Sequence, residues 1–405
     1  MTTTTEAPRT VPGSLPHSDG EGRFVPVQTR SERPASYDPA DFPTPTGREV
    51  NWRYTPMDRI RPLLVDEDTE TGDDIAIDYR IDAPEGFHIE STGHDAPVRG
   101  EVFTPEDLPS AIAWKRCANA LHIRIPQDVE AQAPIVLELT GKDAERHANA
   151  HLIIEAMPNS SATVLVRHAG SARYAQNVEV IVRDGARLEL VSVQQWDEDA
   201  VHVAAHQARV LRDAYLRHIV VSFGGGVVRV NPTVELAGAG SSAELFGLTY
   251  ADAGQHLESQ VYLHHKGPYT KGDVLYKGAL QGASARTAWV GDVLIGPDAV
   301  GTDSYEANRN LLLTEGARAD SVPNLEIETG DIVGAGHASA TGRFDDEQLF
   351  YLQTRGIPEI EARRLVVLGF LGEIVQKIGI PALEDELIAT IEDELAATPE
   401  PEVVA

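Results

Sequence analysis

Thiols are nearly absent: Cys117 is the only cysteine in 405 residues. One thiol excludes an internal disulfide, a zinc ribbon and any cluster held by four thiolates of this chain alone. Basic residues are scarce too, with 34 Lys and Arg against 63 Asp and Glu and a formal charge of −29. Such a chain repels polyanions, which argues against nucleic acid and anionic membrane surfaces as partners. The densest apolar run, Leu365–Leu371, is far too short to span a bilayer, and Met1–Pro16 shows neither a basic nor an apolar leader segment, so a cytoplasmic location is expected. No GxxxxGK[ST] phosphate loop and no GxSxG elbow occurs. Gly224-Gly225-Gly226 lies between strand-like runs and reads as a tight turn or bulge.

What is present divides the chain into regions. Residues 1–48 hold 8 of the 25 prolines and too little apolar surface to offset ordering entropy, which predicts a disordered tail. Order is expected from Asn51-Trp52-Arg53-Tyr54, opening a mixed or helical N-terminal domain over 49–145 whose weak periodicities fix no fold. Over 146–343 short β-branched runs such as Val178–Val182, Leu188–Val193 and Val227–Val230 alternate with Gly, Asp and Ser turns. Ala162, Ala186, Ala214 and Ala243 follow at spacings of 24, 28 and 29 residues, each in a small-residue turn before an alternating run. That spacing suits one coil of a parallel β-helix, although a β-sandwich also yields short strands.

After Phe344 the period becomes helical, giving a C-terminal helical domain over 344–397 and a tail over 398–405. Asp345-Asp346-Glu347-Gln348 suits a helix start, and Arg355-Gly356 a stop. Pro358 takes an N1-like position in a second helix whose Leu365, Leu368, Leu371, Val375 and Ile378 share a face before Gly379 and Pro381. A third helix carries Leu383, Leu387, Ile391 and Leu395. This bundle is too small for a large core of its own, so it is expected to dock on the solenoid or on a partner.

Among 14 histidines, the pairs His147/His151 and His202/His206 have i,i+4 spacing, but VHVAAHQARV around His202 reads as a strand. Four strand residues cover about 13 Å, too far for one ion, so structural or surface roles are favoured. His337 differs because glycines flank it, in Gly334-Ala335-Gly336-His337, on what reads as an accessible loop. A neutral imidazole can ligate iron in place of thiolate. Taken alone, the residues favour a turn histidine.

A series of ordered segments resembles the SufB/SufD family of iron–sulfur cluster assembly scaffolds. Gly224–Val230 with Asn231, LFGLTYADAGQHLES (245–259), VLYKGAL (274–280), YEANRNLLLTEGARADSVPNLEIETGD (305–331) and LFYLQTRGI (349–357) are similar to family motifs in order, and Asn51–Thr55 (NWRYT) to an element near the start of its SufD branch. Ala335 stands where the family often has cysteine, with Gly334 and Gly336 replacing Lys and Ser, which favours the SufD branch over the thiolate-supplying SufB.

The resemblance implies a right-handed parallel β-helix between terminal helical domains and a scaffold that is not itself an enzyme. It implies pairing with SufB through the β-helices, docking of the SufC ATPase on the C-terminal helices, and a transient Fe–S cluster or iron at the SufB interface, none of it bound by this chain alone. A homodimer is possible where SufB is scarce. By the same resemblance His337 matches an iron or cluster ligand. Phe350, Tyr351, Leu352, Arg355 and Ile357 match the SufC-docking helix, while helical spacing turns part of that set, with Leu349, toward the core. Two rivals remain: a β-helix carbohydrate-active enzyme, and a purely structural SufD-like subunit.

Overall fold

A computed structural model describes residues 14–16, 24–26, 34–66, 76–344 and 346–396. The strands β1 (Ser14–Pro16) and β2 (Phe24–Pro26) pair antiparallel. Most of the expected tail, and that over 398–405, lies outside the described residues. Within residues 34–48, however, Pro39, Phe42 and Pro45 are buried, so part of the expected tail packs on the body of the chain. Phe42 is buried with Trp52, Ile60 and Ile112, and the Tyr37 hydroxyl donates to the Phe103 carbonyl at 2.9 Å. These few apolar side chains are held by residues distant in sequence, which local composition does not reveal.

The N-terminal layer comprises α1 (Met57–Ile60), β3 (Ile77–Asp82), β4 (His88–Gly93) and α2 (Leu108–Arg116). Asp107 caps α2 by accepting from the Ser110 amide, and Pro109 occupies its first turn, where the missing N–H loses no helical bond.

The solenoid starts before the expected residue 146. The strands β5 (Asn119–Ile125) and β6 (Ile135–Ala156) already pair in parallel, and β6 pairs with β7 (Ser161–Val182). Ile135, Leu137 and Leu139 explain this, because their alternation places each in the lumen.

The succeeding strands are β8 (Arg187–Trp196), β9 (Val201–Val210), β10 (Tyr215–Ser222), β11 (Val227–Leu236), β12 (Ser242–Ala251), β13 (His256–His265), β14 (Lys271–Leu280), β15 (Arg286–Ile295), β16 (Asp303–Leu312), β17 (Arg318–Ile327) and β18 (Gly334–Arg343). Even-numbered strands stack in parallel as one wall and odd-numbered strands as the other, and β7 runs through both, giving about 8 turns of parallel β-solenoid.

The alanine periodicity reflects a real column of small residues, though not one formed by those four alanines. Ser160, Ala186, Ala214, Ser241, Thr270 and Thr302 occupy equivalent buried turn positions, each next to the first paired residue of its strand. Ala162 and Ala243 instead pair with Leu188 and Leu216, one inward position further on. At the triple glycine the turn reading holds: a Cβ on Gly224 would lie 2.2 Å from the Trp196 carbonyl oxygen, so only glycine fits.

Terminal layers cover opposite walls. The N-terminal layer packs on Ala175, Val201, Val203 and Val227 of the odd wall. There the NWRYT segment is tied down: the Asn51 carbonyl accepts from Arg229 and Gln260, and the Thr55 hydroxyl donates to Glu258 at 2.8 Å. Arg229 also lies 4.0 Å over the Trp52 ring and pairs with Glu258 and Asp107. Burial would raise the Glu258 carboxyl, but the His256 hydrogen bond, the Arg229 charge and Thr55 together bring it down to about 2.

The even wall is covered by α4 (Glu359–Val375) and α5 (Pro381–Ala396), preceded by α3 (Asp346–Thr354). Val367, Leu371, Ile374, Leu387 and Ile391 bury against Val191, Ile219, Phe246 and Leu248. The expected stripe is corrected at two points: Leu365 is 43% exposed, and Pro358 caps α4 from just outside it. Asp345, part of the expected helix start, lies outside the described residues. No helix among the described residues is long and apolar enough to cross a membrane.

Candidate interface site at the open end of the solenoid

His337 lies within β18 and not on a loop, contrary to the expectation drawn from its glycine neighbours. The strand pairs on one side only, with β16, and forms the last rung of the even wall. Parallel register sets His337 opposite Glu306, so both project to the same side of the wall. That side is the lumen, because Ala335, two residues earlier, packs against the lumen core. Among the described residues no further strand covers the rung, and the imidazole is 44% exposed while Glu306 beneath it is 1% exposed. Among the described residues no group of three or more His, Cys, Asp or Glu converges on one point.

Glu306 escapes a reading based on sequence motifs. Its environment is unusual for an acid: a Cβ on Gly291 would lie 2.4 Å from Oε2, and Oε1 is buried without a hydrogen-bond partner. Burial, and then the nearby Asp292 charge, push its carboxyl up to about 8 against a hydrogen bond from the Asn324 backbone. His337 Nδ1 stands 3.8 Å from Oε1. The available signal was strand alternation, since Ser304, Glu306, Asn308 and Asn310 are the buried inward positions of β16.

Both i,i+4 histidine pairs lie in strands, as the residues around His202 suggested for that pair, although the spacing itself suits a helix. His151 is buried beside Glu179 at 3.2 Å, and Glu179 accepts from the Gly100, Val102 and Phe103 amides of the N-terminal layer. His202 accepts from the Trp196 indole N–H at 3.0 Å, and His206 Nδ1 meets His218 Nε2 at 2.9 Å. Burial pushes His202, His206 and His218 below the ordinary imidazole range, which keeps them neutral core residues. Cys117 is buried at the end of α2, in the layer over the first coils.

The C-terminal helix set divides as helical spacing requires. Phe350 and Tyr351 are 66% and 56% exposed, Arg355 is exposed and hydrogen-bonds the Tyr351 hydroxyl, Leu352 and Ile357 are half-buried, and Leu349 is buried. Ile360, 70% exposed at the start of α4, extends the exposed apolar series and was missed because its neighbours are charged.

Comparison with known proteins agrees with this architecture. The domain described as "SUF system FeS cluster assembly, SufBD core domain" matches residues 139–370. An iron-sulfur cluster assembly SufBD family protein of Mycobacterium tuberculosis is 47% identical over 371 residues, covering 90% of this chain and 93% of the relative. A protein so named from Mycobacterium leprae is 47% identical over 377 residues, with 92% and 95% covered. The iron-sulfur cluster assembly protein SufD of Escherichia coli is 25% identical over 381 residues, with 86% and 88% covered. With its core domain matched and its near-complete relatives so similar, the chain belongs to the SufBD family of the SUF iron–sulfur cluster assembly system.

Proposed function

We propose that this chain is a scaffold subunit that catalyses no reaction itself and acts in the cytoplasm by holding partners around a nascent iron–sulfur cluster. It pairs with SufB through the open end of the solenoid, binds SufC through Phe350, Tyr351, Leu352, Arg355 and Ile357, and lends His337 as a ligand to iron or to a transient cluster. The carrying observation is the last rung: a half-exposed imidazole lies on a strand with one edge unpaired among the described residues, which another chain could complete. The −29 formal charge fits a cation or cation-bearing cargo and disfavours polyanions. ATP-driven closure of SufC would draw the helical domains of the two scaffolds together and open their shared interface to iron and sulfide.

Co-purification with SufB and SufC tests this reading. A stable three-component complex is expected, and His337→Ala should lower its bound iron and sulfide without dissociating it. Unchanged iron and sulfide in that variant would leave a purely structural role for His337. Failure to retain SufB and SufC, or turnover of substrate by the isolated chain, would overturn the reading as a whole.

A further inference from the structure

His337 as a ligand is the reading given above, and the present inference rests on it. A buried carboxylate oxygen without a donor is unfavourable unless a proton or a cation meets it. Glu306 Oε1 is such an atom, and the His337 Nδ1 facing it at 3.8 Å is too distant for a hydrogen bond. One ion can bridge that gap, because metal–nitrogen and metal–oxygen bonds of about 2.0–2.2 Å each allow donors up to roughly 4 Å apart on a single centre. We propose that Glu306 Oε1 and His337 Nδ1 form a two-donor site for a first-row divalent cation at the open end of the solenoid, its remaining positions left to ligands from outside this chain.

The mixed nitrogen and oxygen donors suit Fe²⁺, Mn²⁺ or Co²⁺ better than a soft, thiolate-seeking ion. Asp292, the other nearby acid, is engaged elsewhere, its Oδ1 accepting from the Asn324 side-chain amide at 2.8 Å. Gly291 keeps the space that Glu306 Oε2 occupies. The site thus pairs a buried oxygen with a nitrogen of a half-exposed ring.

The test is titration of the intact, isotope-labelled chain with Co²⁺, following paramagnetic broadening of the backbone amides of residues 305–307 and 336–338. Wild type should show saturable broadening there, with affinity reduced at least tenfold in both Glu306→Gln and His337→Ala. Glu306→Gln keeps the side-chain shape, and its circular dichroism and thermal midpoint verify the fold. Loss in His337→Ala alone would overturn the two-donor site and leave the histidine-ligand reading standing. Loss in Glu306→Gln alone, or loss in neither variant, would overturn the site and count against that reading too. Absence of localised broadening in wild type overturns the site.

Discussion

The early and late coils of one solenoid are built for different ends. From β7 to β14 most strand positions are buried, with lumen on one side and a terminal layer over much of the other, and polar side chains such as His206, Arg229 and Gln260 are buried there along with the apolar ones. In β17 and β18 the burial falls away, and RADSVPNLEI and GAGHASATGR present small and polar residues on a free edge. The first region holds the fold together. The second is where apolar burial has been given up, and His337 lies there, one strand beyond the buried Glu306 of β16. A stable scaffold can therefore keep an unfinished end only because its stability is concentrated elsewhere.

The sharpest way to break that division is to remove Arg229, whose 1% exposed guanidinium neutralises the fully buried Glu258. Arg229→Ala should destabilise the chain by about 3–5 kcal/mol, because it strands a buried charge. Urea denaturation followed by circular dichroism measures it, and a loss under about 1 kcal/mol would mean that the N-terminal layer contributes little. Next in size, Leu371→Ala on α4 should cost about 2–5 kcal/mol through the cavity it leaves against the even wall. Its denaturation midpoint should fall well below that of Phe350→Ala, whose exposed ring should change stability by no more than about 0.5 kcal/mol while weakening SufC capture.

Acid provides a graded version of the same contrast. Glu258 and Glu155 are both held at about 2 in the folded chain, below the ordinary 4.5. The unfolded chain therefore binds more protons between those values, so stability should be full above about pH 4.5 and fall as pH drops toward 2. Urea midpoints at pH 5, 4 and 3 check the slope, and Glu258→Gln should flatten it. The smallest effect is expected in the last coil, where His337→Ala should leave stability within about 0.5 kcal/mol of wild type. A drop of 2 kcal/mol there would show that the open end supports the fold after all.

Much of this architecture was legible in the sequence because a solenoid repeats its physics. Alternation such as Leu188, Leu190 and Ser192 in β8 names the inward positions, and Gly356 and Gly379 end helices where expected, both with positive φ. Segment 55–145 was not legible, since β3 and β4 are mostly exposed, without sustained alternation. The packing of Phe42 was hidden because its partners are distant in sequence. For the candidate site, motif resemblance found His337 and the exposed helix positions. Glu306 looked like one more acid among 63, and only strand register reveals that it faces inward beside the imidazole.

Lys277 joins the helices to the rung that matters. Its ammonium group, 5% exposed, donates to the Phe370 carbonyl at 2.8 Å and pairs with Glu373 at 2.5 Å, both on α4, while its backbone belongs to β14. Only β16 separates β14 from β18, and at about 4.8 Å per strand the rivet is roughly 10 Å from the strand bearing His337. A pull applied to α4 therefore enters the wall two strands from its unfinished margin, while the Arg167–Glu386 pair ties α5 to the first coils, so the helical domain spans the wall from root to mouth.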